Sequence, residues 1–401
     1  MQQRVLVTGI GIISSIGLNA DEVSQAMVNE RSGIGRLSLI NSVHKDVLPV
    51  GEIKIGNAEL EEMVRPGIKG YYSRTALLGM IAARQAVEQS VLDDQTLRNA
   101  ALISATTVGG MDRTETFYRT FMKDQQKGKI SGVISHDCGD STERIADFIG
   151  VKGFLSTINT ACSSSANAVM LGARLIKSGR YSTVIAGGVD ALTLFTINGF
   201  NSLMILDRDH CKPFDENRNG LNLGEGAAFL VLEPEEVALK NNKKAIAEVK
   251  GYGNACDAYH QTASSPEGQG AWLAMSKALQ ISGIQPADID YINAHGTGTK
   301  NNDLSEGVAI ERIFGDKIPP FSSTKAYTGH TLGAAGAIEA VLSVMAIQNN
   351  RIYPNINFST AMHDLRLRPV TTLISNVKIN NVMSNSFGFA GNNSSLIFSK
   401  Y

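Results

Sequence analysis

The stretch FLSTINTACSSSANAVMLGARLIKSG at residues 154–179, followed by TVIAGGVDA at 183–191, decides how this chain is read. FLSTINTA (154–161) carries the β-branched content and flanking punctuation of a strand. Ala166, Val169, Met170 and Ala173 then recur at helical spacing, and Gly179 is a natural stop. TVIAGGVDA reads as a buried strand. Strand, turn, helix and strand in this order predict an α/β unit, with Cys162 at the turn from strand to helix. A thiol placed there faces free backbone N–H groups and the positive end of the helix dipole, and both favour the thiolate. A buried structural thiol is the ordinary reading of a lone cysteine, so placement alone leaves the two readings even.

Working outward, the later part of the chain repeats this plan. IDYINA (289–294) is a strand that runs into HGTGT (295–299), and PPFSSTKA (319–326) leads into YTGH (327–330). The segment LGAAGAIEAVLSVMAI (332–347) is apolar or small almost all round, which predicts a buried helix. Each part thus offers a strand, a reactive side chain and a small-residue helix. The expectation is a duplicated α/β architecture. Residues 1–245 carry the cysteine, and residues 246–401 carry two histidines, a lysine and a phenylalanine loop. That loop lies in NVMSNSFGFAGNNSSLIFSK (381–400), where two strands flank a Phe-Gly-Phe turn. Phe387 and Phe389 on such a hinge suit a lid or a pocket wall.

Composition bounds the function. At about 150 residues per domain, 401 residues make roughly two to three units. Lys+Arg of 37 against Asp+Glu of 38 gives a net charge of −1, which argues against a nucleic acid or a membrane surface as main partner. The 43% hydrophobic and 19% charged residues fit a folded globular chain. Cysteines 138, 162, 211 and 256 form no CxxC pair, so zinc, iron–sulfur and redox-pair sites have no support. They read as reduced thiols in a cytoplasmic protein. No apolar run reaches the length of about 18 residues that a membrane span needs, and VLVTGIGIISSIG after Arg4 reads as a strand and turn, not an export signal.

Four further residues carry chemistry. His295 sits in NAHGTGT at the end of a strand, where α/β folds collect ligands. His330 sits in TGHTLGAAG at a helix start, where the dipole disfavours the imidazolium; a neutral imidazole is a donor for a developing oxyanion. Taken singly, each is more readily a core or capping histidine. Together with a cysteine elbow they point to a site. Lys325 follows an apolar strand, where a lysine is expensive unless paired. Glu306 and Asp303 are the candidate partners. D-x-x-E at a helix start also reads as a capping box, and Glu306 is the expected partner of Lys325.

These residues lie in motifs that, in this order and over essentially the whole chain, resemble the β-ketoacyl-[acyl-carrier-protein] synthases of the I/II type, condensing enzymes of the thiolase-like superfamily. The motifs are TACSSS, KPFDENRNGLNLGEGA (212–227), GYGNACDAYH (251–260), NAHGTGTKNND (293–303), SSTKAYTGHTLGAAG (322–336) and SNSFGFAGNN (384–393). The resemblance implies a duplicated five-layer αβαβα fold with mixed sheets and buried central helices. It implies Cys162 as acyl-accepting nucleophile, and His295 and His330 in malonyl decarboxylation and enolate stabilisation. Lys325 would set the site's electrostatics through Glu306. The backbone N–H groups of Cys162 and Phe389 would form an oxyanion hole, and Phe387 would belong to the gate. Thr297 and Thr299 would contact the phosphopantetheine arm of an acyl carrier protein, and Val108 and Phe200 would line the acyl pocket. No metal or cofactor is expected, and a homodimer is.

Two segments depart from the family pattern. The gate, usually GFGGTN, reads GFAGNN, and Ala390 is not expected to adopt a positive φ easily. SHDCGDSTE (135–143) is more polar than in related synthases; His136, Asp137 and Cys138 are surface residues by default and otherwise signal a polar, unsaturated or aromatic acyl chain. Arg65, Lys69, Lys123, Lys127 and Lys129 are candidate contacts for an acidic carrier. His260 is placed near the channel mouth. Three rivals remain. A nucleotide-dependent oxidoreductase would use VTGIGIISSIG, but its third glycine position is Ser14. A cysteine hydrolase leaves Lys325 and one histidine unused. A non-catalytic chain-length-factor-like subunit would lack the cysteine.

Overall fold

The computed structural model describes residues 3–65 and 72–401, so Lys69 lies outside the described residues. The first half contributes strands β1 (Val5–Ser14), β2 (Ala101–Ala105), β3 (Leu155–Ile158), β4 (Val184–Asp190) and β5 (Gly226–Pro234), and helices α1 (Arg74–Ser90) and α2 (Ser164–Lys177). The second contributes β6 (Ala247–Cys256), β7 (Tyr291–Asn293), β8 (Phe321–Ser322), β9 (Asn381–Gly388) and β10 (Asn392–Ser399), with α3 (Gln269–Ser282), α4 (Lys300–Phe314) and α5 (Ala335–Asn349). In space the strands run β3-β2-β4-β5-β1 and then β6-β10-β9-β7-β8. Read from its outer edge, each five-strand half has the same order, third, second, fourth, fifth, first. Parallel and antiparallel pairings also repeat: β2 is parallel to β3 and β4, as β7 is to β8 and β9. A short antiparallel contact, Leu6 with Glu248 and Val7 with Ala247, joins the halves.

Helices complete five layers. α1 covers β1 and β5 from outside, α3 covers β6 and β10, and α2 and α5 lie against each other between the two sheet halves. This is the mixed αβαβα plan of the thiolase-like class. The sequence explains the close packing. Gly9 and Gly11 on β1 face α1, where an added Cβ would sit 2.1 Å from the Ala86 carbonyl oxygen and 2.0 Å from that of Ala82. Gly251 and Gly253 on β6 make the same approach to Ala278 and Ala274 of α3, at 2.4 and 2.1 Å. A side chain at any of the four would push a helix off its sheet. VTGIG is therefore strand and not a phosphate-binding turn, which removes the structural basis of the oxidoreductase reading.

α5 is buried on every face from Ala335 to Ile347, as its composition predicts. With the preceding turn, Leu332–Asn349 is after all long and apolar enough to span a membrane, contrary to the reading of the sequence, but 89% of it is inside the protein. Burial of residues such as Ile338, Val341, Leu342 and Val344 contributes about 1.5–3 kcal/mol each. The C-terminal strands also shift the expected turn. Phe387 and Gly388 finish β9, and the turn itself is Phe389–Gly391.

Candidate active site

Cys162 lies just before α2, whose N-cap is Ser163. The turn is held by Ser164, whose hydroxyl accepts from Thr160 N at 2.8 Å and donates to the Ala161 carbonyl at 2.5 Å. Ala161 takes φ +54°, a left-handed conformation costly for a residue with a Cβ. That strain aims the sulfur at the second half of the molecule. His330 reaches it, with Nε2 3.0 Å from Cys162 Sγ. The His295 ring stands edge-on to that of His330, centroids 5.4 Å apart, and Phe387 flanks it at 6.0 Å. One donor atom from each of Cys162, His295 and His330 lies within 4.8 Å of the others. Three residues distant in sequence thus meet at one point.

Lys325 completes the cluster, and here the sequence expectation is corrected. Its partner is Glu339 of α5, with which it forms a buried ion pair, and not Glu306. Lys325 Nζ also lies 3.1 Å from His295 Nδ1. An ammonium has only donors, so this contact makes Nδ1 the acceptor and leaves the proton of His295 on Nε2. Glu306 serves backbone instead: it accepts from His295 N at 2.9 Å, Gly296 N at 2.8 Å and the Asn385 amide at 3.1 Å. It positions the histidine turn because a carboxylate on α4 faces two free N–H groups there. Asp303, also on α4, accepts from Phe214 N at 2.8 Å and Gly298 N at 3.2 Å, so its role is to brace the same turn. Glu339 was legible in principle, since it is the single charged residue of LGAAGAIEAVLSVMAI.

Burial governs the electrostatics. It pushes the Cys162 thiol up to about 11, although Lys325 and the backbone N–H groups of Phe389 and Cys162 pull it down. Burial thus works against the thiolate that the helix N-terminus favours. Both imidazoles are held well below the usual histidine range, first by burial and then by Lys325, with His330 adding to the effect on His295. The neutrality of His330 was expected, but its main cause is desolvation and not the helix dipole, and the same holds His295 neutral. Burial also raises Glu306 and Glu339 to about 7. Cys162, His295 and His330 could share a thiophilic cation by distance alone, yet the Lys325 ammonium beside His295 opposes a second positive charge.

The cluster closes a cavity of about 450 Å³, lined among others by Phe200, Thr297, Thr299, Phe387 and Phe389. Thr297 and Thr299 hydroxyls lie 2.8 Å apart on its wall. The Phe389 ring stacks on Phe200 at 5.8 Å. Val108 is not on the cavity surface; it is buried behind it, in an apolar cluster with Leu221, Leu332 and Phe200. A Cβ on Gly388 would stand 3.0 Å from Cys162 N, so the gate strand passes directly over the elbow. Ala390, expected to resist a positive φ, has φ +60° and ψ +19°. The turn is held by Ala390 N donating to Gln261 O at 2.8 Å and the Asn392 amide to Phe389 O at 3.3 Å. His260 is exposed next to Thr262, which lines the cavity. His136 and Asp137 are exposed and Cys138 is half-buried.

Comparison with known proteins agrees with this arrangement. Residues 2–238 match the family described as beta-ketoacyl synthase, N-terminal domain, and residues 246–359 match beta-ketoacyl synthase, C-terminal domain. The chain is 33% identical to 3-oxoacyl-[acyl-carrier-protein] synthase 2 of Staphylococcus aureus (strain N315), over 100% of this chain and 99% of that protein. Among solved structures, the ishigamide ketosynthase/chain length factor superposes with a TM-score of 0.95 at 31% identity, covering 100% of both chains. A type II polyketide synthase ketosynthase, AntDE, solved with its acyl-carrier protein AntF and bound to the hexaketide, gives a TM-score of 0.89 at 25% identity, also covering 100% of both. This chain belongs to the β-ketoacyl synthase family.

Proposed function

We propose that the chain catalyses decarboxylative Claisen condensation: an acyl group carried on Cys162 joins a malonyl unit on an acyl carrier protein, giving a 3-oxoacyl carrier and CO₂, in fatty-acid or related polyketide synthesis. The observation that carries the proposal is the convergence of Cys162 Sγ, the His330 and His295 rings and Lys325 at one end of the cavity. In the first half-reaction His330 Nε2 takes the thiol proton as Sγ attacks the incoming thioester, and the carrier's thiol departs with a proton. N–H groups of Cys162 and Phe389 hold the tetrahedral oxyanion. In the second, the malonyl carboxylate leaves as CO₂ and the His295 Nε2–H donates to the enolate that remains, beside the neutral His330 ring. Its carbon attacks the Cys162 thioester, sulfur leaves as thiolate, and one proton taken up from solvent restores the thiol. Lys325 keeps His295 in the Nε2–H form for this task. Loss of CO₂ supplies the drive, so no metal or redox group is called for.

We read residues 1–245 and 246–401 as two thiolase-like halves, on the repeated strand order. An acyl carrier protein is the substrate donor, with Thr297 and Thr299 along the path of its arm and Arg65, Lys123, Lys127 and Lys129 as acidic-surface contacts. A second ketosynthase-fold subunit pairs with the chain. The expectation is a second copy, and the chain length factor named with the ishigamide ketosynthase makes such a subunit the alternative occupant. Four free cysteines suit the cytoplasm. Intact-protein mass spectrometry after incubation with a panel of acyl carriers tests the reading. Acylation of the wild type and none of Cys162→Ala is expected. Equal acylation of the variant rejects the nucleophile, and thioester hydrolysis without condensation favours a hydrolase.

A further inference from the structure

Asp190 is fully buried at the C-terminal end of β4, and the proposed chemistry does not use it. It is the one charge in the apolar strand TVIAGGVDA. Its two oxygens gather donors from two turns. From the turn after β2 come the Thr106 hydroxyl at 2.5 Å, the Thr107 hydroxyl at 2.6 Å, Thr107 N at 2.9 Å and Val108 N at 3.2 Å. From the turn that leads into α5 comes Gly333 N at 2.7 Å. That turn begins two residues beyond His330, and Leu332 in it takes φ +52°. The contact is tight: an added Cβ at Gly333 would meet the Asp190 carboxylate at 2.8 Å.

The His330 backbone is anchored on its other side by Asn222 O, which accepts from His330 N at 2.7 Å, and by Gly224 N, which donates to His330 O at 2.9 Å. Asp190 is thus the second anchor of the loop that carries His330. The same carboxylate holds Val108, whose side chain packs with Leu332, Leu221 and Phe200 behind the cavity. We propose, on the function read above, that Asp190 is a positioning residue: it ties the Val108 wall to the His330 loop and so sets together the aim of the imidazole and the acyl group the cavity admits. A carboxylate suits the task because every group facing it is a donor. An asparagine amide in its place must turn an N–H₂ toward at least one of those donors and leave both unpaired.

The test compares wild type, Asp190→Asn and Thr107→Val, which removes only the hydroxyl donor. Thermal midpoints are measured first, and kinetics are read well below the lowest. Three quantities follow: Cys162 loading from carriers bearing acyl chains of increasing length, condensation kcat, and KM for malonyl carrier. For Asp190→Asn the expected result is an altered length preference in loading, on top of a fall of about tenfold both in loading of the shortest chain and in kcat, with KM within about twofold. Thr107→Val moves in the same direction by about threefold. A uniform fall in loading and kcat across all chain lengths assigns Asp190 a purely structural role and overturns the proposal, as does an unchanged Asp190→Asn. If Asp190→Asn does not fold, Thr107→Val decides, and wild-type kinetics and length profile in that variant overturn the idea. A wild type that loads no acyl group rejects the underlying function and this inference with it; a wild type that loads and condenses beside an equally active Asp190→Asn rejects this inference alone.

Discussion

The two helices of the central layer, α2 and α5, occupy comparable places in a repeated plan, yet they contribute opposite things. α2 presents its chemistry at the N-terminal end, as Cys162 two residues ahead of its first turn, and its buried positions are Ser, Ala, Gly, Met and aliphatic residues. α5 presents its chemistry at mid-length, as Glu339, amid a helix buried on all sides. The proposed nucleophile must meet substrate, and Cys162 sits beside the strained Ala161 on a turn lined by small side chains. A counter-charge for Lys325 must meet no substrate at all, and a position inside the core excludes water and strengthens the pair. The duplicated scaffold separates a reactive end from an electrostatic middle.

The comparison breaks most visibly at the reactive end. Cys162→Ala should remove acyl loading by a factor on the order of 10⁴ or more, read by intact mass, because the other groups of the cluster, two imidazoles and a Lys325 ammonium paired with Glu339, do not hold an acyl group stably. At the electrostatic end, Glu339→Gln leaves the Lys325 charge buried without its partner. The expected destabilisation is about 3–5 kcal/mol in chemical unfolding. The double variant Lys325→Met with Glu339→Leu should recover most of that stability while condensation stays lost. A double variant as unstable as the single one would show that the pair is not the cause. Glu306→Gln sharpens the contrast between the two acidic residues of the second half. It removes one acceptor from the His295–Gly296 turn, costs about 1–3 kcal/mol and slows condensation while leaving Cys162 loading the smaller effect.

A pH series tests the state of the sulfur. A thiol held near 11 is thiolate only above that value, so the reactive fraction climbs with pH throughout the neutral range. Alkylation of Cys162 by iodoacetamide should rise about tenfold per unit from pH 7 to 9. A plateau reached below pH 8 would mean that His330 already holds the proton as an ion pair. The smallest change is expected at the gate. Ala390→Gly relieves a left-handed cost of about 1 kcal/mol but frees the unfolded chain by a similar amount. Unfolding should therefore shift by less than about 0.5 kcal/mol, and any effect should be confined to loading rates.

Much of the site was legible because its residues sit in short apolar or glycine-rich contexts where a polar side chain has no ordinary reason to be. Cys162, His295, His330 and Lys325 stood out in that way, and the two small-residue helices predicted the buried layer. The duplication had a signal that passed unread, the glycine pairs of VTGIG and VKGYG, each facing alanines of an outer helix. The partner of Lys325 went astray for a different reason. Glu306 follows the His295 motif and so drew the assignment, but α4 points it at backbone N–H groups, whereas α5 brings Glu339 back across the cluster from 14 residues beyond the lysine.

Local pattern alone determined the class of fold, the buried helices, the strand-to-helix elbow and the candidates for the reactive side chains, because periodicity and small-residue packing are written into neighbouring positions. Which carboxylate answers the lysine, which imidazole meets the sulfur, how far burial lifts the thiol and that Ala390 accepts a left-handed turn were decided by tertiary structure. Those properties depend on how separate segments meet, 14 residues apart for Lys325 and Glu339 and 168 for Cys162 and His330, and on the exclusion of water, and both come into being only when the chain closes on itself.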